Sequence, residues 1–300
     1  MRNSTDLHEQ ILKFIDTLFH PLLLYEILQL KTNTSINLIS RIIKESNKEI
    51  SEAVLVFLAV VRYLWKNSGS LQEFIKNNSD LILKMAIEKR AQANLPARAL
   101  PLLEILDKNI KAPSISVIEL GASYGLIGQC LLSPQKIIEN KSSYFSRSQQ
   151  MPDIQEPPPI DYYLGIERSP PDKEWLLALE WHPVLKKRLE NFLDEIIADE
   201  RFKLIKGDAF GFSKLKTVKD LVSNTRPSRV VVLTSFMLYQ YNPRKQKLLR
   251  DEILEFTGVN SGHWINQTLK VASMESFIEF DGEKVIALSN NSCSSWKWLK

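Results

Sequence analysis

A chain of 300 residues, 44% apolar and 25% charged, has length for a catalytic domain with an accessory one and the composition of an ordinary soluble protein. The formal charge of +4 comes without a polybasic block, so neither nucleic acid nor an anionic membrane is indicated as a partner. The two cysteines, Cys130 and Cys293, lie far apart; no metal site is expected from them, and a reducing cytoplasm fits such usage.

Met1 to Asp6 lacks the apolar core of a secretory signal. The longest apolar run, Ala53 to Val61, closes at Arg62, far short of the roughly 20 residues of a spanning helix, so no membrane segment is expected. From Thr5 to about Asn109 apolar residues return at helical intervals, as in Ile11-Leu12-Ile15-Leu18 and Leu22-Leu23-Ile27-Leu28. Residues 1–110 are therefore expected to be an all-helical N-terminal region, either a lid or one wall of a cleft, or only a layer over a sheet. Within it, Gln92, Asn94 and Arg98 precede an apolar helix. Asn94 is explained as an N-cap before Pro96. Arg98 is not, because the helix dipole disfavours a cation in the first turn, and an anionic partner such as a carboxylate would account for it.

Val117 to Gly128 reads as a buried strand, a tight turn and a helix. Glu119 stands near the strand's carboxyl end, and Gly121, Ala122, Ser123 and Gly125 form the turn. Such a turn brings backbone N–H groups and a helix N-terminus to a ligand, though glycines there can also serve geometry alone. Residues 133–159 are expected to be an inserted loop, ending in Pro157-Pro158-Pro159. Tyr162 to Glu167 reads as a second strand ending in an acid, where doubly wound sheets hold ribose hydroxyls. Its spacing from the glycines is about twice the usual ~20 residues, which the insertion explains; pairing of Glu167 with Arg168 or a lysine is the plainer reading.

Asp172 caps a helix packed through Trp175, Leu176, Ala178, Leu179 and Trp181, broken at His182-Pro183 and resumed over residues 184–198. His182 is read as a capping or surface group before a catalytic base. Phe202 to Phe210 is a third strand ending in Gly207-Asp208-Ala209, where Asp208 can accept from an adenine amine and Phe210 lie against the ring. Arg229 to Thr234 is an apolar central strand. Beyond it stand Ser235, Tyr239 and Tyr241, at the strand end where such sheets place chemistry. Asn242-Pro243 is an N-cap and first-turn proline for the next helix. His263 to Leu269 is a fifth strand, and Ser276 to Leu288 a hairpin turning at Asp281-Gly282. The hydroxyl-rich run 289–295 contains no acid or His and cannot make a hydrolytic triad.

A helical preface followed by a sheet with acids ending its first three strands resembles the class I methyltransferase version of the Rossmann-like fold. More closely, the chain resembles a bacterial family of uncharacterised domains thought to share that fold. The resemblance rests on Gln92-x-Asn94 with Arg98, Glu119-x-Gly121-Ala122-Ser123-x-Gly125-Leu126, the block Asp172 to Pro183 with its tryptophans, Gly207-Asp208-Ala209, and Val230 to Tyr241. It implies S-adenosylmethionine as cofactor and a methyl acceptor of unknown identity. Ser123 stands where methyltransferases usually have the middle glycine, and Ser292-Cys293-Ser294 where the family often carries His-Gly.

The expected architecture is α/β, with residues 111–300 as a Rossmann-like, mostly parallel nucleoside-binding domain bearing a C-terminal β-hairpin. The expected function is a transferase, an S-adenosylmethionine-dependent methyltransferase; the alternative is a non-catalytic nucleotide- or metabolite-binding protein of the same fold. Cofactor contacts are expected from Gln92, Arg98, Glu119, Gly121, Ala122, Ser123, Gly125, Glu167, Asp208, Ala209 and Phe210. Ser235, Tyr239 and Tyr241 are expected to orient the acceptor. An NAD-dependent oxidoreductase is disfavoured, because the glycines do not match Gly-x-Gly-x-x-Gly.

Overall fold

Strand β1 (Ile115–Leu120) is buried at all six residues, as an apolar strand flanked on both sides must be. In the computed structural model it pairs in parallel with β2 (Ile160–Glu167) on one side and β4 (Arg229–Ser235) on the other. β3 (Phe202–Lys206) continues the sheet in parallel beyond β2, and β5 (His263–Lys270) beyond β4. Antiparallel strands β6 (Glu275–Phe280), β7 (Glu283–Leu288) and β8 (Trp296–Trp298) complete an eight-stranded sheet of order β3-β2-β1-β4-β5-β6-β7-β8. The structure describes residues 4–17, 28–46, 48–65, 69–89, 96–139, 154–170, 172–180, 183–195, 199–224, 229–270, 275–288 and 296–299. The protein is thus mixed α/β, with a mostly parallel sheet that ends in antiparallel strands.

The hairpin turn has positive φ at both Asp281 (51°) and Gly282 (87°), the backbone a tight two-residue connection demands. Trp296 to Trp298 joins the edge of the sheet as β8 beside β7, with Trp298 Nε1 donating to Glu104 Oε1 at 2.9 Å. One detail differs from expectation. The segment 133–159, expected without structure, begins with a short helix at Pro134–Glu139, proline supplying its first turn; residues 140–153 lie outside those described.

Helices α6 (Ala99–Asn109), α7 (Leu126–Leu132), α8 (Pro134–Glu139), α11 (Lys216–Asn224) and α12 (Pro243–Val259) accompany the sheet. One sheet face, made by Ile118, Leu120, Leu164, Ile166, Val230, Val232 and Trp264, packs with Val218 and Leu221 of α11 and Leu249 and Ile253 of α12. α12 starts where Asn242 Oδ1 accepts the Lys245 N–H at 3.0 Å and Pro243 follows. On the other face α7 lies against β2, where a Cβ on Gly128 would meet the Tyr163 ring at 2.4 Å.

By its contacts the chain divides into two compact units, residues 1–94 with 172–193, and residues 95–171 with 194–300. A single division at residue 110 was expected; α6 instead belongs with the sheet, and the helices between β2 and β3 belong with the helical unit. That unit contains α1 (Ser4–Thr17), α2 (Asn33–Ser46), α3 (Ile50–Leu64), α4 (Leu71–Asn77), α5 (Ser79–Glu88), α9 (Lys173–Leu179) and most of α10 (Pro183–Glu195). Its core gathers Ile11, Ile39, Phe57 and Ile82 around Trp175. Asp172 Oδ1 accepts the Trp175 N–H at 2.7 Å and so starts α9. The Trp175 ring meets the Tyr63 ring edge-on at 6.0 Å, with Lys89 Nζ 5.0 Å above it. Among the described residues no helix is long and apolar enough to cross a membrane.

Truncating Trp175 removes a large side chain from this core, at a cost of about 3–5 kcal/mol. Trp175→Ala is expected to speed amide hydrogen exchange in α3 and α9 while leaving β1 and β2 protected. Loss of protection in the strands first would contradict the assignment of residues 172–193 to the helical unit.

Candidate functional site at the strand ends

The turn after β1 is tied to the end of β2. The N–H groups of Gly121 and Ala122 both donate to the Ile166 carbonyl, at 2.9 and 3.2 Å, and Gly125 N–H donates to Ala122 O at 2.7 Å. Gly121, Ser123 and Gly125 have φ of 73°, 54° and 80°, the last opening α7. A Cβ on Gly125 would stand 2.1 Å from Phe202 Cζ, and one on Gly121 2.8 Å from Met237 Sδ. Protein side chains therefore fill the space these two glycines leave, and geometry suffices to explain them. Ser123 is different. Its backbone N–H donates to Glu167 Oε2 at 2.9 Å, the residue is 7% exposed, and its Oγ has no hydrogen-bond partner among the described residues. An orphaned buried hydroxyl costs free energy unless something meets it.

The remaining strand ends converge on the same edge. Glu167 Oε1 accepts the Ser169 N–H at 3.3 Å, and Gly207 N–H donates to the Glu167 carbonyl at 3.0 Å, which locks the ends of β2 and β3. Asp208 pairs with Arg168 at 2.6 Å and accepts the Phe210 N–H at 3.1 Å. Burial pushes the Asp208 carboxyl up, but the Phe210 N–H and the Arg168 guanidinium outweigh it and hold the group below the usual range. The rings of Phe210 and Tyr241 meet edge-on, 5.1 Å apart, and Ala209 between Asp208 and Phe210 is buried.

At the end of β4, Ser235 Oγ donates to Gln267 Oε1 at 2.7 Å and Phe236 N–H to the Gln267 carbonyl at 2.6 Å. Phe236 has a φ of 50°, a strained value for an aromatic residue. Arg98, at the start of α6, lies with its Cζ 4.5 Å over the Phe236 ring. Sequence reasoning did not single out Gln267, Met237 or Phe202. A glutamine inside an otherwise apolar strand was the available signal for the first; the other two are ordinary apolar residues and carry none. Gln92 and the side chain of Tyr239 lie outside the described residues, as does His182.

Glu119 stands apart from this edge. Its side chain is 1% exposed on the α7 face of β1, where it accepts from Tyr163 Oη at 2.8 Å. Burial, with a smaller push from the Glu167 charge and against the Tyr163 hydrogen bond, raises its carboxyl to about 8. Burial and then the Glu119 charge also push the Cys130 thiol well up, so this is a proton-retaining interior rather than a reactive one. The strand ends thus bring the Ser123 N–H to Glu167, the Phe210 N–H to Asp208, the Phe210 ring to Tyr241, the Arg98 guanidinium to Phe236 and, through Gln267, the Arg98 carbonyl to Ser235. No group of three or more His, Cys, Asp or Glu among the described residues could hold a metal ion.

No family model and no curated protein matches the chain. Among solved structures, the crystal structure of SCL7 in Oryza sativa is similar at a TM-score of 0.34 and 12% identity, over 87% of this chain and 62% of that one. The chain thus spans under two thirds of that structure's length, and a likeness at this level carries no argument.

Glu119 links stability to pH. Between the ordinary value of 4.5 and about 8, the folded state keeps a proton that the unfolded chain releases, so stability falls as pH rises through that window, by at most about 1.4 kcal/mol per unit. Glu119→Gln cannot ionise and is expected to flatten this slope. The gap in melting temperature between variant and parent should move in the variant's favour from pH 5 to pH 8; parallel pH profiles would overturn the assignment.

Proposed function

We propose that the chain is an S-adenosylmethionine-dependent methyltransferase with a class I, Rossmann-like sheet, acting in a reducing cytoplasm on an acceptor of unknown identity. The observation that carries the reading is the Ser123 hydroxyl, buried and without a partner in a turn whose N–H is already held by the acid that ends β2. The parallel order β3-β2-β1-β4-β5 supports it, because ligands of open α/β sheets bind outside the strand carboxyl ends, where the order reverses between β1 and β4.

The residues present fit the cofactor. Ser123 Oγ can donate to its methionine portion and Arg98 can pair with the carboxylate. Glu167, although bonded to two N–H groups, retains lone pairs for ribose hydroxyls. Asp208 and Phe210 offer an acceptor and a ring edge to adenine. Bound S-adenosylmethionine would supply an electrophilic methyl group on sulfonium sulfur. The chain's own contribution is to hold and align, since an in-line displacement needs positioning more than a dedicated base; Tyr241 is the residue assigned to orienting an acceptor. Gly121 and Gly125 serve by shaping the turn. Glu119 serves from within, as a buried neutral acid.

A second reading, a nucleotide- or metabolite-binding protein without transfer chemistry, is favoured by the closed state of the edge. Asp208 is paired with Arg168, and Met237 and Phe202 occupy the space at the glycines.

Calorimetry decides the first point. Both S-adenosylmethionine and S-adenosylhomocysteine are expected to release heat on binding, and Glu167→Ala and Asp208→Ala to weaken each by about tenfold or more, the loss of one charge-assisted hydrogen bond. No heat from either ligand at high concentration would sink the proposal. Turnover with an acceptor would exclude the second reading.

A further inference from the structure

Gln267 is fully buried on β5, in register with Ser235 of β4. Its carboxamide reaches the Arg98 carbonyl and Ser235 Oγ, and the first of these has fixed polarity. The Arg98 carbonyl can only accept, so the end of the carboxamide that faces it, at 3.4 Å, is the NH2. The other end, Oε1, also can only accept, and it faces Ser235 Oγ at 2.7 Å. The hydroxyl proton of Ser235 is therefore committed to Gln267, and Ser235 Oγ turns only lone pairs toward anything else. Ser123 is the opposite case, with an Oγ that no described residue engages. The Arg98 guanidinium stands over Phe236, the residue after Ser235, at 4.5 Å.

We infer that Gln267 is a positioning residue that makes Ser235 a hydrogen-bond acceptor, so that this end of the site takes the ammonium of an α-amino acid group while Arg98 takes its carboxylate. An α-amino acid is the chemical class that carries a donor cation and an anion on one carbon, and the acceptor is offered by Ser235 while the guanidinium lies over the ring of the next residue, Phe236. The inference rests on the S-adenosylmethionine reading for the identity of that group, its methionine portion. It goes beyond that reading in assigning Ser235 to the ligand's ammonium and in giving Gln267 a role.

The test compares S-adenosylhomocysteine with its des-amino analogue, which keeps the carboxylate and lacks the ammonium, by calorimetry on the full chain. The parent is expected to prefer the amine-bearing ligand by about tenfold or more, the worth of one charged hydrogen bond. Ser235→Ala should close that gap, and Gln267→Leu should narrow it at least several-fold, with thermal unfolding confirming that each variant folds. A merely structural role would weaken both ligands equally and leave their ratio unchanged. Equal binding of the two ligands by the parent, or a ratio unmoved in Ser235→Ala, overturns the inference and leaves the cofactor reading standing. If neither nucleoside binds, the cofactor reading fails, and L-methionine against 4-(methylthio)butanoate on the same proteins decides the inference alone. Preference for methionine that is lost in Ser235→Ala supports it; no heat or no preference overturns it.

Discussion

Parallel pairing of β1 on both of its edges is the constraint from which the rest of the sheet unit follows. A strand so placed has no edge in solvent and no face in solvent, and all six of its residues are buried. Chain leaving such a strand emerges only at its carboxyl end, between the ends of β2 and β4. There its first two N–H groups share one carbonyl, that of Ile166. The third free N–H, from Ser123, has no strand left to pair with and finds the Glu167 carboxylate instead. An acid at the end of β2 is in this sense part of the turn's own hydrogen bonding before any ligand is considered.

Buried polar groups separate the two faces of this sheet. Under α12, Trp264 Nε1 donates to Thr234 Oγ1, Thr234 to Asn266 Oδ1, and Asn266 Nδ2 to Glu279, which Arg250 also reaches. Every link of that chain has its partner, and such a network fixes how β4, β5 and β6 align. At the carboxyl edge the pattern is complete for Ser235 and open for Ser123. Ser116 Oγ, near the other end of β1, is likewise buried without a hydrogen-bond partner among the described residues, so what sets Ser123 apart is its place in the turn where the strand ends meet, not its open hydroxyl alone. Glu119 carries the cost of the central position: a carboxyl enclosed on β1 keeps its proton near neutrality and is tolerated because Tyr163 meets it.

The helical unit is assembled from distant parts of the chain. Helices from the first 94 residues enclose Trp175, which arrives from the crossover between β2 and β3. Trp175, from the Asp172 to Pro183 block, thus works as packing for the helical core, just after the Asp172 cap. Its specificity is that of a large aromatic ring fitted among aliphatic side chains, where volume must match closely.

The sequence by itself determined the local elements: the helical periodicity of the first hundred residues, the apolar strands, the Asn242-Pro243 and Asp172 caps, and the Asp281-Gly282 turn, each a matter of spacing within a few residues. It also located the acids at the ends of β2 and β3 and the hydroxyl of Ser235, since strand ends are visible as the close of an apolar run. Only the tertiary structure decided which groups meet. That Phe202 and Met237 fill the glycine turn, that Glu119 faces Tyr163 rather than the edge, that residues 172–193 join the helical core and that Gln267 holds the proton of Ser235 all depend on which segments pack together and which strands pair in what register. A shift of one residue in β1, β3 or β5 would turn Glu119, Phe202 or Gln267 to the opposite face. No local pattern encodes that choice, because it is made by the packing of segments far apart in the chain.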